Sequence, residues 1–240
     1  MFRWGWVMQI KLNDRLLCVA KLVLPGQPMA DIGTDHSYLP VYLIINSICP
    51  AVIATEKARG PFDNACQLVE LLSLTRQIDM RLGSGLTVLK PGEAATIVMA
   101  GMGGHVIRDI LEASPAVAAA SRRLVLQPQK HAPMLRHFLQ QSGWRIVTED
   151  IAFDHGFYYE IIAAEPGVMQ LNEDEMLFGP CLLGQPHPLL PQYLGLQLAD
   201  MQTLLDQLEG KACQETAVRR AALQNKVKKI ESILAARNGG

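Results

Sequence analysis

The chain has 240 residues, 49% of them hydrophobic and 19% charged. It is long enough to bury a sizeable core without a disulfide or metal staple, and too apolar for a disordered chain. The 22 Lys and Arg against 23 Asp and Glu leave a net charge of −1. That excludes a nucleic-acid binder driven by bulk charge but leaves room for a local basic face.

The longest apolar stretch, around Leu39–Ile48, is too short to cross a bilayer, so no membrane span is expected. The start, Met1 to Met8, has too short an apolar run and no small-residue site to read as a secretory signal. Cysteines 18, 49, 66, 181 and 213 are scattered and form no CxxC. This points away from a metal centre or a disulfide framework and toward a reducing cytoplasm.

From about residue 28 to 165, strand-like and helix-like runs alternate. Met29-Ala30-Asp31-Ile32-Gly33 reads as a first strand ending in a turn, and Pro40 opens a helix to Ile48. Residues 51–56 read as a second strand. Phe62 to Leu74 reads as a helix from its apolar spacing, and 78–82 as a third strand. Residues 95–100 are the clearest strand, followed by Gly101-Met102-Gly103-Gly104 and a helix to about Glu112. A fifth strand covers 123–126, and a helix covers 131–141. Then 144–153 and 157–164 read as strands joined by Asp154-His155-Gly156, a hairpin. Five βα units and a hairpin imply a mostly parallel, doubly wound α/β sheet with an antiparallel strand at its end.

Past Pro166 the composition shifts, so domains of 1–166 and 167–240 are expected. Leu171–Pro191, rich in Pro and Gly, reads as a linker. Leu194, Leu198, Met201, Leu205 and Leu208 then recur at steps of four and three, and Gly210 interrupts. Leu223, Val227, Ile230 and Leu234 repeat the spacing, as in a helical hairpin of coiled-coil type. Its second arm, residues 211–240, carries seven Lys and Arg against two Glu, among them Arg219, Arg220 and Lys226. Alone, such an arm reads first as a solvated helix face.

Ligands of a doubly wound sheet bind at the carboxyl ends of its strands. Here those ends are Asp31-Ile32-Gly33-Thr34-Asp35-His36, then Glu56-Lys57, then Gly83-Ser84-Gly85, then Ala100-Gly101-Met102-Gly103. Gly33 lets backbone approach a ligand closely, and a carboxylate at Glu56 can accept both hydroxyls of a ribose. The first turn has one glycine rather than GxGxxG, and no GxxxxGK[ST] occurs. A pyrophosphate needs more backbone N–H groups than this turn offers. An adenosine with a short chain and no phosphate suits the layout, and S-adenosylmethionine is that molecule.

The strings Ala30-Asp31-Ile32-Gly33-Thr34-Asp35-His36-Ser37-Tyr38-Leu39-Pro40, Gly60-Pro61-Phe62, Met99-Ala100-Gly101-Met102-Gly103-Gly104 and Leu126-Gln127-Pro128 resemble the bacterial TrmK family. These are tRNA (adenine-22-N1)-methyltransferases using S-adenosylmethionine. The resemblance extends from about Leu12 to the C-terminal helices and includes Phe178-Gly179-Pro180. It implies a class I, Rossmann-like methyltransferase with a C-terminal coiled-coil domain. It also implies that Gly33, Glu56 and the Ala100–Gly103 turn line the cofactor, and that Asp35 sits at the reaction centre. Asp31, Lys57, Gly83, Ser84 and Gly85, at the same strand ends, are expected to line the cofactor with them. Where the family has Gly-Asp-Gly-Leu, this chain has Gly83-Ser84-Gly85-Leu86. Serine accepts from an adenine amino group more weakly than a charged aspartate.

Each residue also has a plainer reading. Asp35 could cap a helix, although Ser37 is the more natural cap before Pro40. Asp31 could bond only its own loop. Tyr38 could be a core aromatic or a ring on which the target base stacks. His36, Lys130 and His131 could meet RNA or be structural, and Met99, Met102 and Met134 read as core filler. The N1 atom lies on the Watson–Crick edge, so the base must be unpaired and turned out of its stack. A larger surface must then read RNA shape, and the basic arm is the candidate. A monomer acting on tRNA is expected, the alternative being a methyltransferase for another RNA, a protein or a small molecule.

Overall fold

The computed structural model of the chain describes residues 10–208 and 214–238. The Met1 to Met8 start, the interruption at Gly210 and Cys213 lie outside that range. In chain order the elements are α1 (Asp14–Leu22), β1 (Met29–Ile32), α2 (Tyr38–Ile45), β2 (Val52–Glu56), α3 (Arg59–Leu71) and β3 (Ile78–Leu82). There follow β4 (Thr96–Met102), α4 (Gly104–Ala113), α5 (Pro115–Ala119), β5 (Arg123–Pro128), α6 (Ala132–Gln141), β6 (Trp144–Asp154) and β7 (Phe157–Pro166). The last four are α7 (Glu173–Phe178), α8 (Pro180–Gly184), α9 (Leu190–Gln207) and α10 (Gln214–Asn238).

The seven strands form one sheet in the order β3-β2-β1-β4-β5-β7-β6. β1 to β5 are parallel, and β7 runs antiparallel to both β5 and β6. Period-two alternation divides the core. Ile97, Met99, Leu124 and Leu126 pack with Ile107 of α4 and Leu135 of α6 on one face. Val98 and Val125 pack with Val19 of α1 and Leu43 of α2 on the other. β1 is buried along its whole length, because β2 and β4 flank it and helices cover both faces. Burying side chains of this size contributes about 1.5–3 kcal/mol each.

Several segments differ from the sequence reading, the short α5 among them. Helix α1 has no counterpart there. Its signal was Asn13, whose side chain accepts from the N–H of Leu16 as an N-cap. Helices α2 and α3 start two and three residues before Pro40 and Phe62, because a proline fits anywhere in a first turn and fixes no start. The presumed linker at 171–191 contains α7 and α8. Asn172 and Glu175 close a capping box, and Phe178 and Leu182 are buried. A fully buried Arg136 on α6 joins this segment to the sheet. It bonds Glu149 of β6 at 2.8 Å and Glu160 of β7, while the other oxygen of Glu149 accepts from the N–H of Cys181 at 2.9 Å.

The chain divides into two compact units between Leu183 and Gly184. In the second, α9 and α10 pack on each other, with Leu194, Met201 and Ile230 buried. Among the described residues no helix is long and apolar enough to cross a membrane, and no group of three or more His, Cys, Asp and Glu is placed to hold a metal.

Candidate active site

Strand order reverses between β1 and β4, and two cavities open at the carboxyl ends of the strands there. The first, of about 390 Å³, is walled by Asp31, Asp35, His36 and Tyr38 from the β1–α2 segment and by Asn13 and Arg15 at the start of α1. The second, of about 290 Å³, is walled by Glu56, Lys57, Gly83, Ser84, Gly85 and Met102. Gly33, Ala100 and Gly101 belong to both walls, so the cavities adjoin.

Two glycines make the shared wall possible. At Gly33 the backbone turns with φ +75°, and a Cβ would stand 2.5 Å from the end of Met102. The N–H groups of Gly33 and Thr34 both donate to the carbonyl of Thr55, each at 2.9 Å. They are therefore spent on β2 rather than offered to a phosphate. At Gly101, φ is +77°, and its N–H donates to Gln127 Oε1 at 2.9 Å. Arg15 Nη1 donates to the same oxygen at 2.8 Å. Both neighbours are donors, so the amide must present its oxygen to them. Gln127 Nε2 is consequently buried with no partner among the described residues.

In the second cavity, Glu56 is buried, and its Oε1 accepts from the N–H groups of Lys57 and Ala58, each at 2.9 Å. Its Oε2 has no protein partner among the described residues, nor has the buried hydroxyl of Thr55 on the same wall. In the first cavity, burial pushes the Asp31 carboxyl up to about 6, although the Thr34 hydroxyl and the Arg15 charge pull it down. Asp35 is exposed and left-handed, φ 53°, with Oδ2 3.6 Å from His36 Nε2. The His36 ring lies 5.5 Å from that of Tyr38, which is also exposed. Ser37 is left-handed too and stands at the N-cap position of α2, yet its side chain makes no cap bond. Its hydroxyl lies 3.5 Å from the sulfur of Met80 instead. Two strained non-glycine residues within three positions are common where a loop is shaped for a ligand.

Not every sequence-selected residue gathers here. Gly103 precedes α4 and walls neither cavity. Lys130 and His131 are exposed and also outside both. Their carbonyl oxygens lie 2.9 Å from where a Cβ on Gly104 would be, and the His131 ring meets His105 at 4.6 Å. Arg219 and Arg220 are exposed on α10, and Lys226 is half-buried there, all in the second unit. Conversely, the sequence reading passed over Asn13, Arg15 and Gln129, which wall the first cavity, and the role of Gln127. Only Asn13 carried a local signal.

The reversed strand order, the antiparallel β7 and the paired cavities define a Rossmann-like α/β protein of the class I methyltransferase type. The family described as TrmK, tRNA (adenine(22)-N(1))-methyltransferase, matches residues 29–232. A tRNA (adenine(22)-N(1))-methyltransferase of Bacillus subtilis (strain 168) is 37% identical over 210 residues, 85% of this chain and 88% of that protein. The crystal structure of the B. subtilis M1A22 tRNA methyltransferase TrmK superposes with a TM-score of 0.86 at 33% identity, covering 94% of this chain and 100% of that one. A putative tRNA (m1A22) methyltransferase of Streptococcus pneumoniae, solved in complex with S-adenosyl-L-methionine, gives 0.85 at 32% identity, covering 93% and 100%. The chain belongs to the TrmK family of tRNA (adenine(22)-N(1))-methyltransferases.

Proposed function

We infer that this chain transfers a methyl group from S-adenosylmethionine to N1 of adenine 22 in tRNA. One observation carries the reading within the chain. Two adjoining cavities share Gly33, Ala100 and Gly101, one holding a half-used buried carboxylate and the other an exposed aspartate. The donor set fits the cofactor. Glu56 Oε2 and the Thr55 hydroxyl are polar atoms left over for a ribose, and the N–H groups of Gly33 and Thr34 are already spent on β2. That turn therefore favours a nucleoside without phosphates over a dinucleotide.

When bound, S-adenosylmethionine supplies a methyl group made electrophilic by its sulfonium. Glu56 in the second cavity would accept the ribose hydroxyls, Ser84 and Met102 of the same wall would border the adenine, and Asp31 of the first cavity would offer its carboxylate to the cationic sulfonium end. Adenine N1 has an in-plane lone pair and needs no strong base. Positioning is the larger task. Asp35 offers a carboxylate to the target ring, which becomes cationic as its N1 bond forms, and so stabilises the charge that develops. His36 and Tyr38 border the same opening and receive the base. Gln127 and Arg15 hold the Gly101 turn against both cavities and act as positioning residues.

In this reading the unit that runs to Leu183, past the boundary expected at residue 166, carries the chemistry, and the unit from Gly184 supplies the surface for RNA shape. Arg219, Arg220 and Lys226 serve phosphate contacts, and Lys130 and His131 serve RNA beyond the cavity. The chain acts as a cytoplasmic monomer without a metal.

The test is methyl transfer to tRNA lacking its own modifications, with nucleosides identified by mass. Wild type yields 1-methyladenosine, and Asp35→Ala lowers kcat by about 10²–10³-fold with cofactor affinity retained. Cofactor binding without any methylated nucleoside would send the search to another substrate.

A further inference from the structure

We propose that the tip of the β6–β7 hairpin, centred on Phe157, is a stacking platform for an unpaired tRNA base next to the target adenosine. The proposal rests on the tRNA reading above.

Register places the tip. β5 pairs with β7 at Leu124↔Ala164, Val125↔Ala163 and Leu126↔Ile162, while β6 and β7 stay paired as far as Asp154↔Phe157. β7 is antiparallel to β5, which ends at Pro128, so by this register residues 157–159 extend past the carboxyl end of β5, the side where the cavities open. At 3.3 Å per residue, Phe157 stands about 17 Å beyond the Leu126 rung.

Alternation fixes the face. Phe157, Tyr159 and Ile161 share one side of the strand. Ile161 packs in the core layer that contains Val19 and Ala20 of α1. The Arg15 guanidinium stands 5.6 Å over the Tyr159 ring. Asn13, at the start of α1, donates to Asp154 Oδ2 at 2.8 Å, and Asp154 is the rung opposite Phe157. Asn13 and Arg15 both wall the first cavity. The Phe157 side chain therefore continues the α1 face past that cavity's rim, and it is 65% exposed. On the other side of the arm, Phe153, also exposed, meets Tyr158 with ring centroids 4.7 Å apart.

The chemistry of this rim suits a base. Turning a nucleotide out of its stack strips its neighbours of a stacking face, and an exposed aromatic ring replaces it without reading sequence. The one carboxylate at the tip, Asp154, is held by Asn13 and by His155 Nδ1 at 3.0 Å, which limits its repulsion of a phosphate. The contact is stacking rather than ion pairing, so it is insensitive to salt.

The experiment compares Phe157→Ala and Phe157→Trp with wild type in the full chain, by KM for tRNA, cofactor Kd, melting temperature and sedimentation mass. RNA carrying 2-aminopurine beside the target adenosine reports stacking directly. Phe157→Ala is expected to raise KM for tRNA about tenfold or more at both about 50 and about 200 mM salt, and to restore 2-aminopurine fluorescence in the complex. Cofactor Kd and melting temperature stay unchanged, and Phe157→Trp behaves as wild type. An unchanged KM overturns the proposal, as does a loss confined to low salt or a change in mass that marks the tip as a self-association surface. If wild type itself neither binds nor methylates tRNA, the functional reading fails first and this proposal with it.

Discussion

The two adjoining cavities are built in different ways. The second cavity is made of strand ends, each followed by its own short turn, with Val106 and Ile110 of α4, and Glu56 is held by the backbone of the next two residues. The first cavity, to which we assign the base, draws on α1, on the turn after β1 and on Gln129 after β5, segments about a hundred residues apart. A Gln127 amide buried between Arg15 and Gly101 ties them together. Binding on one side thus depends on local chain, and alignment on the other depends on the assembled fold.

The sharpest way to separate them is to remove the tie. Gln127→Ala leaves the Gly101 N–H and the Arg15 guanidinium without their acceptor, and kcat is expected to fall by about 10²-fold, since misplacement on the order of 1 Å is that costly. Gln127→Glu keeps an acceptor for both donors and should stay within a few-fold of wild type. Stopped-flow single turnovers would check this, and an equal loss in both variants would break the comparison.

Asp31 sits between the two behaviours. Its folded value, about 6, lies above the ordinary 3.8, so the folded protein takes up this proton before the unfolded chain does. Its contribution to stability is fully present below about pH 4 and lost as pH rises through about 6. Affinity for a cationic cofactor runs the other way, strengthening by about tenfold as the carboxylate ionises. Melting curves and calorimetric titrations from about pH 5 to 8 should therefore show opposite trends, and Asp31→Asn should flatten both.

The smallest effect is expected on the local side. Ser84→Asp places a charged acceptor at the adenine end and should tighten cofactor binding by a few-fold, with kcat unchanged, as a titration would measure. A comparable change in kcat would mean that the cavities are not separable.

The strand-end residues that wall the two cavities were legible in place because each belongs to a short string whose backbone shapes the wall: Asp31 to Gly33, Glu56-Lys57, Gly83 to Gly85 and Ala100 to Met102. Gly103 was legible as part of a turn, yet the turn exposes only its first three members. Lys130 and His131 sit at a strand's carboxyl end as expected. The close fit of their carbonyls over Gly104, which no local pattern encodes, accompanies their place outside both cavities. Arg15 belongs to no motif in the sequence, and its partner Gln127 lies 112 positions away.

The sequence by itself determined the order of the seven strands, the glycine turns at the strand ends and the carboxylates beside them. Periodicity, turn chemistry and short motifs act over a few neighbouring residues. The tertiary structure alone decided that α1 walls the first cavity, that Gln127 is buried between two donors and that the β6–β7 hairpin carries Phe157 past its rim. Each depends on pairing register and helix packing between distant segments, and a one-residue slip in β7 would turn Phe157 to the opposite face.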